Sequence, residues 1–254
     1  MNYFFLFFLF FSLSLFAKDE EKINRLYEEA SKSLAPYKPI YFAYGDPSTK
    51  IQLSFRTELS QSFPLNFAYT QVIFWELGKK SKPFLDATYN PEFFYRWKIQ
   101  GNRWNTVDFG IWEHNSNGKG GETSRSYDQT YLRVVYTTTW KNWILLLAPK
   151  VRFIYNIDDT NSSIRDYVGA FEFDFRFLRT IDAFLEKTEL ILTVRLGGEF
   201  GTDFTKGGYQ VAMNFKVDKV DLTPSFYIQY YHGYAESLIN FEERVNIFRA
   251  GIMF

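Results

Sequence analysis

Phe171-Glu172-Phe173-Asp174-Phe175-Arg176-Phe177 alternates an aromatic ring with a charge at every step. Successive side chains of a strand point to opposite faces, so this stretch predicts a strand with one greasy and one charged face. The same period of two recurs in both directions along the chain. Leu190, Leu192, Val194 and Leu196 alternate with Glu189, Thr193 and Arg195. Leu222, Pro224, Phe226, Ile228 and Tyr230 alternate with Thr223, Ser225, Tyr227 and Gln229, and Phe248, Ala250, Ile252 and Phe254 end the chain.

Alternation by itself also suits a sandwich of two sheets. Three features select a membrane barrel. The runs approach the roughly 9–11 residues that a tilted strand needs to cross a bilayer. Aromatics recur near strand ends, as interfacial girdles require. The last strand finishes on an aromatic, which resembles the assembly signal of bacterial outer-membrane proteins. Lipid offers backbone groups no hydrogen-bond partner, so such a sheet must close. The prediction is all-β, a twelve-stranded antiparallel transmembrane β-barrel. Its strands are expected near 40–45, 49–61, 65–78, 89–100, 103–115, 124–138, 143–156, 164–178, 187–198, 207–217, 220–233 and 242–254.

Composition agrees. Aromatics make up 21% of the 254 residues and charged residues 23%, with zero net charge. Neutrality argues against nucleic acid as a partner. The lack of cysteine excludes disulfides and thiolate metal sites. The apolar run from Phe4 and the small-residue site ending at Ala17 predict a signal peptide over 1–17, hence export. Residues 18–38, rich in Glu and Lys, are expected to form a weakly ordered periplasmic segment ahead of a barrel spanning 39–254.

One segment breaks the alternation: His114-Asn115-Ser116-Asn117-Gly118-Lys119-Gly120-Gly121-Glu122-Thr123-Ser124-Arg125-Ser126-Tyr127-Asp128. It holds a base, hydroxyls, glycines and an acid. A serine nucleophile needs a base, a group that orients the base, and donors for an oxyanion. His114 and Ser116 lie two apart, on one face of a strand. Asp128 opens the next antiparallel strand, where it can sit beside His114. Gly118 lets its amide approach closely.

Asp128 shares parity with Leu132, Val134 and Tyr136, a lipid-facing row. On the preceding strand Val107, Phe109 and Ile111 form the apolar row, whereas His114 follows Trp112. That switch predicts a β-bulge near Ile111. The triad would then face outward, within reach of lipid. Ser/Asn/Gly-rich loops are also ordinary extracellular turns, so a non-catalytic barrel or channel stays open as the alternative.

His114-Asn115-Ser116-Asn117-Gly118 with Thr123-Ser124-Arg125-Ser126 resembles the signature of the outer-membrane phospholipase A family. So do Gly233-Tyr234-Ala235-Glu236-Ser237-Leu238-Ile239, Tyr69-Thr70-Gln71 and Tyr89-Asn90-Pro91-Glu92. The likeness runs in order from about Ile40 to Phe254. It implies a calcium-dependent hydrolase of phospholipid acyl esters (phospholipase A1/A2) in the bacterial outer membrane, active as a homodimer. By motif position Ser116 is its nucleophile, His114 its general base, and the Gly118 amide its oxyanion donor. The resemblance also implies a Ca2+ site from the Ser124 hydroxyl, the Lys119 carbonyl and a partner serine best matched by Ser81. Gln71 matches a glutamine that pairs across the dimer; a lumen-facing Gln71 is the other reading of its row. The chain departs from the family where Asp128 replaces an asparagine and where Lys119 replaces a common arginine. Asp128 thus either orients His114 or is drawn toward the cation. His232, the second histidine, has no acid or hydroxyl partner in the sequence and reads as a loop or interface residue.

Overall fold

The computed structural model describes residues 35–60, 62–99, 105–180, 185–217 and 224–254. The leader 1–17 and all but the last four residues of the segment 18–38 lie outside the described residues. After a two-residue strand at Ala35–Pro36, twelve strands form the wall. They are β1 (Tyr41–Tyr44), β2 (Thr49–Glu58), β3 (Leu65–Trp75), β4 (Phe84–Lys98), β5 (Thr106–Ser116) and β6 (Ser126–Trp140). They continue as β7 (Trp143–Tyr155), β8 (Phe171–Thr180), β9 (Leu185–Gly197), β10 (Asp203–Val217), β11 (Ser225–Gly233) and β12 (Val245–Met253). Each pairs antiparallel with its neighbour, and β12 pairs with β1 through Gly251↔Ala43 and Ile252↔Phe42, so the barrel closes. Closure leaves no free sheet edge for lipid to meet. No described helix is long and apolar enough to cross a membrane; the strands do so.

Side chains sort as the alternation requires. Phe171, Leu132, Val151, Phe153, Val211, Phe226 and Phe248 are exposed on the outer wall. The charges between them turn inward and pair. Arg152 bonds Glu172 at 2.6 Å and Thr193 bonds Asp174 at 2.5 Å. Lys150 meets Glu113 at 2.7 Å. Arg96 and Arg133 both grip Asp108, at 2.7 and 2.6 Å. The interior is therefore filled by ion pairs around a cavity of about 290 Å³. Removing one partner of such a pair strands a buried charge and destabilises the fold by about 3–5 kcal/mol.

Tyr37 and Lys38 join this interior, although they close the segment read as periplasmic. The Tyr37 hydroxyl accepts from Arg133 at 2.9 Å, and its ring stacks on Phe94 at 5.5 Å. Lys38 donates to Asn90 at 3.3 Å. The buried Glu92 and Asp108 beside them draw the cation and the hydroxyl inside.

The strand expected over 164–178 begins only at Phe171. Ile164–Val168 forms a short helix, α1, with Ile164 and Val168 fully buried. Positions i and i+4 share a helix face, so this pair satisfies a helical turn as well as an alternating strand. Gly169, at φ +67°, ends the turn, and a Cβ there would stand 1.7 Å from the Leu196 carbonyl oxygen.

At the same end, Tyr127, Ile154, Ile164, Val168, Ala235, Leu238 and Phe241 pack into an apolar cap over the lumen. The Gly233–Ile239 stretch builds part of it. Glu236 takes Arg249 at 2.5 Å and Lys50 at 3.3 Å, and the Ala235 carbonyl takes Arg195 at 2.9 Å. The Ile239 amide donates to Asp86 at 2.9 Å. This motif ties the last loop into the barrel.

Candidate active site

The outward row of β5 is set by a bulge. Gly110 pairs with Tyr131, but Glu113 pairs with Gln129, so Ile111 and Trp112 together oppose Thr130. The extra residue shows on the other side too, where Phe93 pairs with Trp112 and Phe94 with Gly110. The Thr130 hydroxyl covers the Gly110 carbonyl at the break. Gly110 is required here, since a Cβ would meet the Tyr131 ring at 2.2 Å. That ring crosses the gap to bond Glu92 at 2.6 Å. Beyond the bulge Glu113 and Asn115 point inward and are buried, while Trp112, His114 and Ser116 face outward.

His114 pairs with Asp128 across β5 and β6. Its Nδ1 lies 2.6 Å from Asp128 Oδ1. The Trp112 ring stacks beside the imidazole at 5.8 Å and 13°, which limits ring rotation. The other carboxylate oxygen, Oδ2, accepts from the Asn156 amide at 2.8 Å. A carboxylate aimed at Nδ1 keeps the proton there and leaves Nε2 free as a base. Asp128 itself is buried, with the His114 side chain 32% exposed. Contact with the imidazole is therefore the structural place of Asp128.

Ser116 accepts from the Gly118 amide at 3.2 Å. Gly118 sits at φ +65°, and a Cβ there would meet the Tyr89 ring at 2.9 Å. Both conformation and space demand glycine. Among the described residues no hydrogen bond joins Ser116 to the His114 ring; such contacts are commonly loose without substrate and tighten in the reacting complex.

The loop after Ser116 is organised by Asn117, which the sequence reading passed over. Its Oδ1 accepts from the Lys119 and Arg125 amides at 3.2 and 3.0 Å, and its Nδ2 donates to the Thr123 carbonyl at 2.9 Å. One side chain thus closes the loop on itself, as asparagine does in turns. The Lys119 ammonium donates to the Leu85 carbonyl at 2.8 Å, drawing the loop toward β4.

Ser124 lies on the far side of this loop and donates to Asp158 Oδ2 at 2.9 Å. Asp158 was also missed. Bonds from the Thr160 hydroxyl and amide, then from Ser124, hold its carboxyl below the usual range. Ser124 Oγ and this carboxylate are hard oxygen donors, the kind that suit calcium. Among the described residues no three His, Asp or Glu side chains converge. A cation here would depend on hydroxyl, carbonyl and water oxygens as well.

Ser81 is exposed in the β3–β4 turn, whose Lys82 carbonyl accepts from Trp75 at 2.9 Å. Gln71 occupies the outward row of β3, between Leu53 of β2 and Tyr89 of β4. Tyr89 pairs in turn with Ser116. Gln71, Tyr89 and Ser116 therefore stand at one level on three adjacent strands, with Gln71 roughly 10 Å from Ser116 at the usual strand spacing. His232 lies on the outward face of β11, beside Tyr209 and Tyr230, and accepts from Arg244 at 2.7 Å.

A family model for phospholipase A1 matches residues 11–254. The phospholipase A1 of Salmonella typhimurium is 27% identical over 215 residues, covering 80% of this chain and 68% of that protein. That of Proteus vulgaris is 27% identical over 231 residues, covering 84% and 72%. Among solved structures, the outer membrane phospholipase A of Escherichia coli superposes with a TM-score of 0.70 at 23% identity, covering 87% of this chain and 94% of that one. The Salmonella typhi outer membrane phospholipase, a dimer with bound calcium, also gives 0.70, at 24% identity and covering 87% and 92%. At such identities these likenesses speak for the fold. The closed barrel with its apolar outer band places the chain in the bacterial outer membrane, and the match along nearly its whole length makes it a member of the phospholipase A1 family.

Proposed function

We propose that this chain is a calcium-dependent phospholipase that hydrolyses acyl esters of phospholipids with Ser116 as nucleophile, and that it works as a homodimer. The reading is carried by the 2.6 Å contact between His114 and Asp128 on the lipid side of the wall, in the same row as Ser116. A channel has no use for a base and a hydroxyl facing lipid.

The steps follow from the residues. Ser116 Oγ attacks the ester carbonyl carbon as His114 Nε2 takes its proton. The Gly118 amide, already aimed at Oγ, donates to the oxyanion formed on the adjacent carbon. The charged imidazole keeps its Nδ1 proton on Asp128. The tetrahedral adduct collapses, the lysophospholipid oxygen leaves with the proton from Nε2, and the acyl group stays on Ser116. Water, deprotonated by the same His114, then attacks the acyl carbon; the bond to Ser116 Oγ breaks, Nε2 returns its proton to Oγ, and the fatty acid leaves. Trp112 and Tyr89 flank this row as apolar walls for the substrate.

The calcium-bound dimer from Salmonella typhi supports a cation site here. Ser124 Oγ, the Lys119 carbonyl and the partner subunit's Ser81 are the ligands we assign. Calcium would supply positive charge beside the developing oxyanion. Chelation with EGTA is expected to stop hydrolysis, and Ser124→Ala to raise the calcium needed for half-activity about tenfold, the effect of losing one ligand. Unchanged calcium titration of fatty-acid release by that variant would remove Ser124 from the site.

Gln71 is the contact we assign to the dimer. An amide facing lipid gains from a second polar group, and membrane hydrogen bonds of this kind contribute about 0.6–2 kcal/mol. Gln71→Ala should lower cross-linked dimer several-fold at equal protein-to-detergent ratio. An undiminished yield would count against this face.

A further inference from the structure

We propose that Asn156 is a positioning residue for the His114–Asp128 pair. The inference rests on the catalytic reading above and adds a residue to it.

Asp128 Oδ1 is taken by the imidazole at 2.6 Å. Its other oxygen is inside a side chain only 10% exposed. A carboxylate held at one oxygen still swings about a broad, roughly two-fold terminal torsion. A buried oxygen left without a donor also costs the desolvation of that atom. The Asn156 amide answers both needs at 2.8 Å. Fastened at both oxygens, the carboxylate has one plane, and the plane fixes the direction in which it meets Nδ1.

The local backbone is built for this contact. Asn156 is the first residue after β7, and its φ of +48° lies in the left-handed region. Asparagine is one of the few residues with a side chain that tolerates it. The reversal brings the amide back toward the row Asp128↔Tyr155 rather than out along the strand. Two residues on, the Asp158 amide donates to the Ser126 carbonyl at 3.0 Å and its carboxylate holds Ser124. One turn therefore anchors both the orienting carboxylate and the loop serine.

The function of Asn156 is to keep His114 in the tautomer with the proton on Nδ1. The chain has two histidines, 114 and 232, so protein labelled with 15N-histidine gives an assignable spectrum, with His232→Gln identifying the second set. In the parent protein the neutral imidazole of His114 is expected to carry its proton on Nδ1 and none on Nε2. Asn156→Gly keeps the positive φ and removes only the side chain. It should move the His114 resonances toward tautomer averaging and lower kcat about tenfold, with KM within twofold, the value of one hydrogen bond to a charged group. Heat-modifiable gel migration reports whether the barrel is intact. If glycine loosens the turn, Asn156→Ala, which lacks the donor and adds no second carboxyl beside Asp128, must produce the same resonance change. Unaltered His114 resonances with unaltered kcat in a folded variant overturn the proposal. His114→Ala with full activity would instead strike the catalytic reading, because the resonances report the clamp whether or not the ring is used.

Discussion

Ser116→Ala is expected to reduce fatty-acid release from phospholipid by at least about 10⁴-fold, the scale on which losing the nucleophile of a serine hydrolase is felt. The barrel should be unharmed. Ser116 faces outward at the end of β5, and among the described residues its hydroxyl takes part in one hydrogen bond, from Gly118. Alanine leaves the ladder to β4 and β6 intact. Heat-modifiable migration and calcium binding should therefore match the parent while turnover disappears. Hydrolysis at the parental rate would remove Ser116 from the mechanism, and with it the role given to His114.

The second large effect concerns Asp128, where two substitutions separate position from charge. Asp128→Ala strips the acceptor from His114 Nδ1 and orphans the Asn156 amide. The ring then loses its tautomer preference, and kcat should fall on the order of 10³–10⁴-fold. Asp128→Asn keeps an acceptor oxygen at the same place. Asn156 can turn its amide over and accept where it had donated. What is lost is the negative charge opposite the imidazolium, an effect of about 10–100-fold given the strength of charge-assisted bonds. Steady-state assays of both variants on mixed micelles decide the matter. Equal losses would mean that the charge does most of the orienting; no loss with asparagine would mean that it does none.

Much of this was legible from local pattern. The Phe171–Phe177 run states its two faces outright, and the charged face turns inward, where Glu172 meets Arg152 and Asp174 meets Thr193, partners that only the strand register supplies. His114, Ser116 and Asp128 were legible because a strand period and one parity switch determine which side chains share a face. What escaped depends on contacts distant in sequence or on choices that two periods serve equally. Asn156 reaches Asp128 across 28 residues, and an asparagine at a strand end looks like any other turn residue. Asp158 meets Ser124 across 34. Ile164 and Val168 fit a strand and a helical turn alike, and only the apolar cap decides between them. The Gly233–Ile239 stretch showed only a family likeness in the sequence, whereas Glu236 stands between Lys50 and Arg249, a triplet that closure of the barrel assembles.

The bulge at Ile111 acts as a one-codon toggle. Strand parity is a two-letter code, inside or outside, and an odd insertion inverts every letter after it. A chain shorter by that residue would send His114 and Ser116 into the salt-filled lumen and present Glu113 and Asn115 to lipid. On the proposed catalytic reading, a row of reacting groups facing lipid and the same row facing the lumen thus differ in this wall by a single amino acid. Ile111 lies five residues before the end of the strand at Ser116, so the insertion inverts only the segment that bears His114 and Ser116 and leaves the crossing below it untouched.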